Sequence, residues 1–63
     1  MKNVVLERFP EIDYVVLARL DSKGKFLEFV AAHHYNDSDD TWSHGHYFYH
    51  LEDLMEYLQS LME

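Results

Sequence analysis

Side chains capable of chemistry crowd into one stretch of this chain, NDSDDTWSHGHYFYH at positions 36–50. It holds His44 and His46 as an H-x-H pair, then His50, and the acids Asp37, Asp39 and Asp40. On a strand, residues i and i+2 project to the same face, so the imidazoles of His44 and His46 can reach one metal ion. His33, His34 or His50 can supply a third ligand and Asp37, Asp39 or Asp40 a carboxylate, a donor set that suits zinc or nickel. Against this, His33 and His34 are adjacent, and adjacent residues of a strand point to opposite faces. The DSDD run also lacks the length and ligand spacing of a calcium loop. Histidines at strand edges and near a helix start commonly pack an apolar body and show a polar tip, with no ion involved. The metal reading therefore stands second, and no cofactor is expected.

Nucleophilic catalysis needs a Ser, Cys or Lys held beside a base. Ser38, Ser43 and Ser60 are present, but there is no cysteine and there are only two glycines. Neither a nucleophile-elbow motif nor a glycine-rich phosphate loop can be found. A chain of 63 residues leaves little room for a pocket that buries a substrate. The expectation is a protein that is not an enzyme.

Charge is a stronger signal. The net charge is −7, and residues 26–63 carry eight acids and no Lys or Arg, whereas residues 1–25 hold all five bases and four acids. Such a surface repels nucleic acid and anionic membrane and attracts basic partners. All five histidines lie in the acidic part. Histidine in general titrates near neutrality, so this part loses negative charge as pH falls toward ~5–6. Solubility alone also favours acidity. No apolar run approaches the ~20 residues of a membrane span, and no basic-then-apolar opening resembles a signal peptide. The expected location is cytoplasmic.

The elements that must position these groups can be read along a single domain, 1–63. NVVLERF, residues 3–9, reads as a short helix or an extended arm, with the helix favoured, and Pro10 stops it. DYVVLARL, residues 13–20, is a strand by its β-branched and aromatic content. DSKG, residues 21–24, is a turn, and KFLEFVAAHHY, residues 25–35, returns as a second strand. A four-residue loop sets Leu20 opposite Lys25, Ala18 opposite Leu27 and Val16 opposite Phe29. Tyr14, Val16, Ala18, Leu27, Phe29 and Ala31 then share one face, and Arg19 and Glu28 the other. NDSDD, residues 36–40, is a loop, and TWSHGHYFY, residues 41–49, a third strand. Gly45 within it implies a bulge or close packing under an aromatic ring. LEDLMEYLQSLM, residues 51–62, places Leu51, Leu54, Met55, Leu58, Leu61 and Met62 on one helical stripe. The expected fold is α+β, a three-stranded antiparallel sheet packed against a C-terminal helix, with a short N-terminal helix.

The helix charges sharpen the functional reading. Glu52 and Asp53 lie in the first turn, where the helix dipole favours acids. Glu56 is one turn beyond Glu52, and like charges at that spacing repel by about 0.2–0.5 kcal/mol. Glu63 lies at the end of the dipole that disfavours anions. No Lys or Arg balances them. That pattern suits a surface selected to meet something basic.

The segment TWSHGHYFYHLEDLMEYLQ, with the hairpin YVVLARLDSKGKFLEFVAAHHY before it, resembles small proteins of phages and mobile elements in Gram-positive bacteria. In these a W-x-x-G-H-Y-F strand leads into an amphipathic helix. The matching residues are Trp42, Gly45, His46, Tyr47 and Phe48. Size, acidity and layout also resemble the anti-CRISPR proteins, short phage inhibitors whose members differ in sequence and fold. The resemblance spans about residues 13–60 and carries over no functional residue. It implies a phage-borne inhibitor that acts in a bacterial host by binding a basic groove of a defence nuclease.

The leading expectation is thus an acidic protein-interaction module that mimics nucleic acid. Asp37, Asp39, Asp40, Glu52, Asp53 and Glu56 would pair with Lys and Arg of the partner, and Tyr49 and Tyr57 would anchor the centre. The second reading is a metal-binding domain using His44 and His46. The third is a homodimer that shares a sheet edge or an aromatic face.

Overall fold

The computed structural model describes residues 2–63. Four strands and one helix follow in order: β1 Lys2–Phe9, β2 Tyr14–Leu20, β3 Phe26–His33, β4 His44–Phe48 and α1 Leu51–Met62. The strands form one antiparallel meander in the order β1-β2-β3-β4. The fold is α+β as expected, but the sheet has four strands rather than three. The segment expected to be a short N-terminal helix is the edge strand β1. Its Val4 and Val5 favour a pleated backbone, and β2 supplies the partner that decides the matter. Pro10 ends β1 by opening the turn to β2, in which Ile12 N donates to Phe9 O at 3.3 Å and Asp13 N to Pro10 O at 3.3 Å.

The β2–β3 turn forms where DSKG predicts it. Asp21 Oδ1 accepts from Lys23 N and Lys25 N, each at 2.9 Å, and Gly24 takes φ +81°. That left-handed conformation suits glycine. The ladder lies two residues further along β3 than the four-residue loop implies: Ala18 faces Phe29 and Val16 faces Ala31. One residue of the difference lies in the loop, which has five residues between the paired Leu20 and Phe26, and an irregularity between Arg19 and Leu20 takes up the other. Between Tyr14 and Arg19, a shift of two keeps each paired side chain on its expected face. Arg19 and Glu28 become direct cross-strand neighbours, joined at 2.7 Å. β4 is shorter than the 41–49 expected, because Thr41 instead bridges to Asn36 and closes the loop on itself.

Each face of the sheet is covered differently. The helix packs across β3 and β4, and Leu54 and Leu58 are fully buried against Tyr14, Val16 and Ala31. Burying each leucine contributes about 1.5–3 kcal/mol. Phe9, Ile12, Phe29, Phe48, Met55 and Tyr57 close the margins. Leu51, Leu61 and Met62 of the expected stripe remain exposed. On the opposite face Leu17, Val30 and Ala32 are fully buried without a helix. Tyr35 and Trp42, at the two ends of the 36–41 loop, lie over them with Val5 and Val15. Among the described residues no helix is long and apolar enough to cross a membrane.

Candidate functional site

Three groups of polar side chains emerge from this scaffold. The first is the helix surface. Glu52, Asp53 and Glu56 are all exposed, and among the described residues no Lys, Arg or His pairs with any of them. Asp53, Glu56, Tyr57 and Ser60 line an open depression of about 320 Å³. Tyr57 is half-buried and committed to packing. Its ring lies 4.5 Å from that of His46 and 6.0 Å from that of Phe48, and its hydroxyl meets that of Tyr14 at 3.3 Å. Tyr49, by contrast, is 73% exposed.

The second group is the 36–41 loop, and its acids have internal partners. Arg8 grips Asp37 with two hydrogen bonds, Nη2 to Oδ1 at 2.7 Å and Nη1 to Oδ2 at 3.2 Å. The Arg8 guanidinium holds the Asp37 carboxyl below its ordinary range. Asp40 accepts from Tyr35 Oη at 2.7 Å and from Asn3 Nδ2 at 2.9 Å. The bond to Asp40, and then burial, push the Tyr35 phenol up to about 12. Asp39 accepts from Asn36 Nδ2 at 3.4 Å. Asn3 and Arg8 belong to β1, which is separated from β3 by β2. The loop therefore crosses the sheet, and Asp37 and Asp40 fasten it there. The loop acids serve the face opposite the helix, so the six acids expected to act together form two separate groups.

The third group is the set of histidines. His44 and His46 do share a face, as the H-x-H spacing requires, because they stand opposite His33 and Ala31. They diverge nonetheless: His46 lies against Tyr57, while the His44 ring is 6.3 Å from that of His33. The convergent set is Asp13, His33 and His34, whose ligand atoms all lie within 4.8 Å of one another. His34 ends the strand in a left-handed conformation with φ +57°, and Asp13 closes the β1–β2 turn at φ +58°. Asp and His are enriched among the non-glycine residues that adopt this region. The left-handed turn at His34 brings its ring against that of His33, tilted by 30° with centroids 3.8 Å apart. Its backbone N donates to Asp13 O at 3.2 Å, and its Nδ1 is hydrogen-bonded to Asp13 Oδ2. Tyr14 stacks on the other side of the cluster, 4.6 Å from His33.

Sequence spacing missed this convergence because it assigns His33 and His34 to opposite faces of a regular strand. The only available signal was an Asp and a His at the ends of adjacent strands. Compared with known protein families, curated proteins and solved structures, the chain matches none of them.

Proposed function

We propose that this chain is an acidic protein-interaction module whose helix surface pairs with a basic groove of a nucleic-acid-binding protein. The observation that carries this reading is the contrast between the two acid groups. Asp37 and Asp40 have hydrogen-bond partners within the fold, whereas Glu52, Asp53 and Glu56 stand exposed with no base to meet them among the described residues. Carboxylates one turn apart on a helix, about 5–6 Å between Cβ atoms, can engage Lys and Arg that otherwise hold phosphates. The adjacent depression offers a seat for a partner side chain. Tyr49 is the exposed aromatic anchor. The partner class we infer is a host defence nuclease in the bacterial cytoplasm, inhibited because the domain occupies the channel for nucleic acid.

The test is charge reversal. Replacing Glu52, Asp53 and Glu56 by Lys should abolish binding to the captured partner, and single reversals should weaken it and flatten its salt dependence. D37N, which alters a carboxylate already engaged by Arg8, should leave most of the affinity. Unchanged affinity and salt slope in the triple variant would sink the electrostatic reading.

A further inference from the structure

We propose that Asp13, His33 and His34 form a binding site for a divalent cation of the zinc class, with His44 placed to complete a four-ligand shell. The inference does not rest on the helix acids. Among the described residues this is the one place where three metal-binding side chains converge, and its donor set is two imidazoles and one carboxylate. That combination is common in open zinc sites.

Reach is adequate. Zinc bonds of ~2.0–2.1 Å in a tetrahedral shell set ligand atoms about 3.3 Å apart. The three ligand atoms already lie within 4.8 Å of one another, and the side chains of His34 and Asp13 are 55% and 62% exposed. Small rotations of these two therefore close the remaining distance without disturbing the core. His33 is half-buried and held by Tyr14, so it is the fixed ligand around which the others gather. His44 lies directly across the ladder from His33 on the last strand and is exposed.

The charges fit as well. Two imidazolium rings with centroids 3.8 Å apart would repel, and only one carboxylate, Asp13, is grouped with them. A dication bound to two neutral imidazoles and that carboxylate satisfies all three groups at once. The site also joins the β1–β2 turn to the end of β3. Occupancy therefore cross-links two chain segments and raises the melting temperature by mass action.

The test is titration of the full chain with zinc chloride, followed by calorimetry and by the ring signals of each histidine. One zinc per chain is expected, with shifts at His33 and His34, smaller ones at His44, and none at His50. Chelator should reverse them. D13N and H34N keep residues at ease in left-handed backbone, and H33F keeps a ring against Tyr14. Each should lower zinc affinity at least ~10-fold, the lower end of what even outer-shell changes cost. H46Q and H50Q should leave the affinity close to that of the wild type, since neither residue belongs to the convergent set. Absence of zinc binding in the wild type, or shifts centred on His46 or His50, would overturn the proposal whatever the variants do to folding. Binding lost in H46Q but kept in H34N would overturn it too, and assign the ion to the H-x-H pair.

Discussion

Replacing Gly45 by alanine adds one methyl group beneath the Trp42 indole. A Cβ there would lie 2.6 Å from Trp42 Nε1, 3.1 Å from Trp42 Cδ1 and 3.1 Å from Tyr47 Oη. Carbon contacts are at ease at about 3.5–4.0 Å, so the indole must move by roughly 1 Å. It is not free to do so cheaply. Trp42 covers Leu17, Val30 and Ala32, and its Nε1 donates to Tyr47 Oη at 3.4 Å. Forcing an extra methyl into packed surroundings costs about 1–3 kcal/mol. Alanine recovers about 0.5–1 kcal/mol through the smaller backbone entropy of the unfolded chain. The net loss is therefore about 1 kcal/mol, or a fall of about 4–8 °C in melting temperature for a domain of this size. Thermal unfolding followed by circular dichroism gives the shift, and tryptophan fluorescence reports whether the indole becomes more exposed. W42F removes the crowding atom, so G45A should cost less in that background, and the double-mutant cycle measures the coupling. A melting temperature that rises in G45A, or a cycle with no coupling, would refute the idea that this glycine exists to admit the indole.

Other consequences follow from the same contacts. E56K exchanges a Glu52–Glu56 repulsion for an attraction and should raise stability by about 0.4–1 kcal/mol, measured by denaturant unfolding; no gain would mean that the unbalanced acids carry no stability cost. L58A empties a fully buried position at the helix–sheet contact. A loss of about 2–5 kcal/mol is expected, enough to leave so small a domain largely unfolded by circular dichroism. R19A leaves the Glu28 carboxylate half-buried without its partner at 2.7 Å. A cost of about 1–2 kcal/mol is expected, less than for a fully buried pair because both side chains retain some solvent. Tyr14 and Tyr35 should both ionise late in a phenolate absorbance titration. The hydrogen bond with Tyr57 and then burial push Tyr14 up to about 12, and the bond to Asp40 and then burial do the same for Tyr35. The native state therefore holds these protons more tightly than the unfolded chain does. Their contribution is complete below the ordinary tyrosine value near 10 and is lost as pH rises toward about 12.

Much of this was legible in the sequence. The helix runs from Leu51 to Met62, the residues its apolar stripe marks. The turn at Asp21–Gly24 and the division of β2 and β3 into two faces follow from turn chemistry and alternation, which act locally. β1 was not legible because its burial pattern alternates poorly, with three successive half-buried residues at Asn3–Val5 and three exposed ones at Leu6–Arg8. Only its pairing with β2 makes it a strand, and pairing is not a local property. The same gap hid the role of the loop acids. Without β1 in place there is no reason to set Arg8 beside Asp37 or Asn3 beside Asp40. The Asp13–His33–His34 cluster needed two left-handed backbones at once. A motif scan based on strand periodicity sorts those residues apart. The H-x-H pair has the regular spacing of a strand face, yet the ring of His46 is engaged with Tyr57.

The measurement that bears most directly on the proposed function is displacement by nucleic acid. The chain is immobilised, the host protein it captures is identified, and increasing amounts of duplex DNA are added at fixed salt. If the helix acids occupy a phosphate-binding groove, DNA should release the partner in proportion to its own affinity. The E52K/D53K/E56K variant should capture nothing to release. A partner that stays bound under saturating DNA, or that the reversed variant captures equally well, would contradict nucleic-acid mimicry.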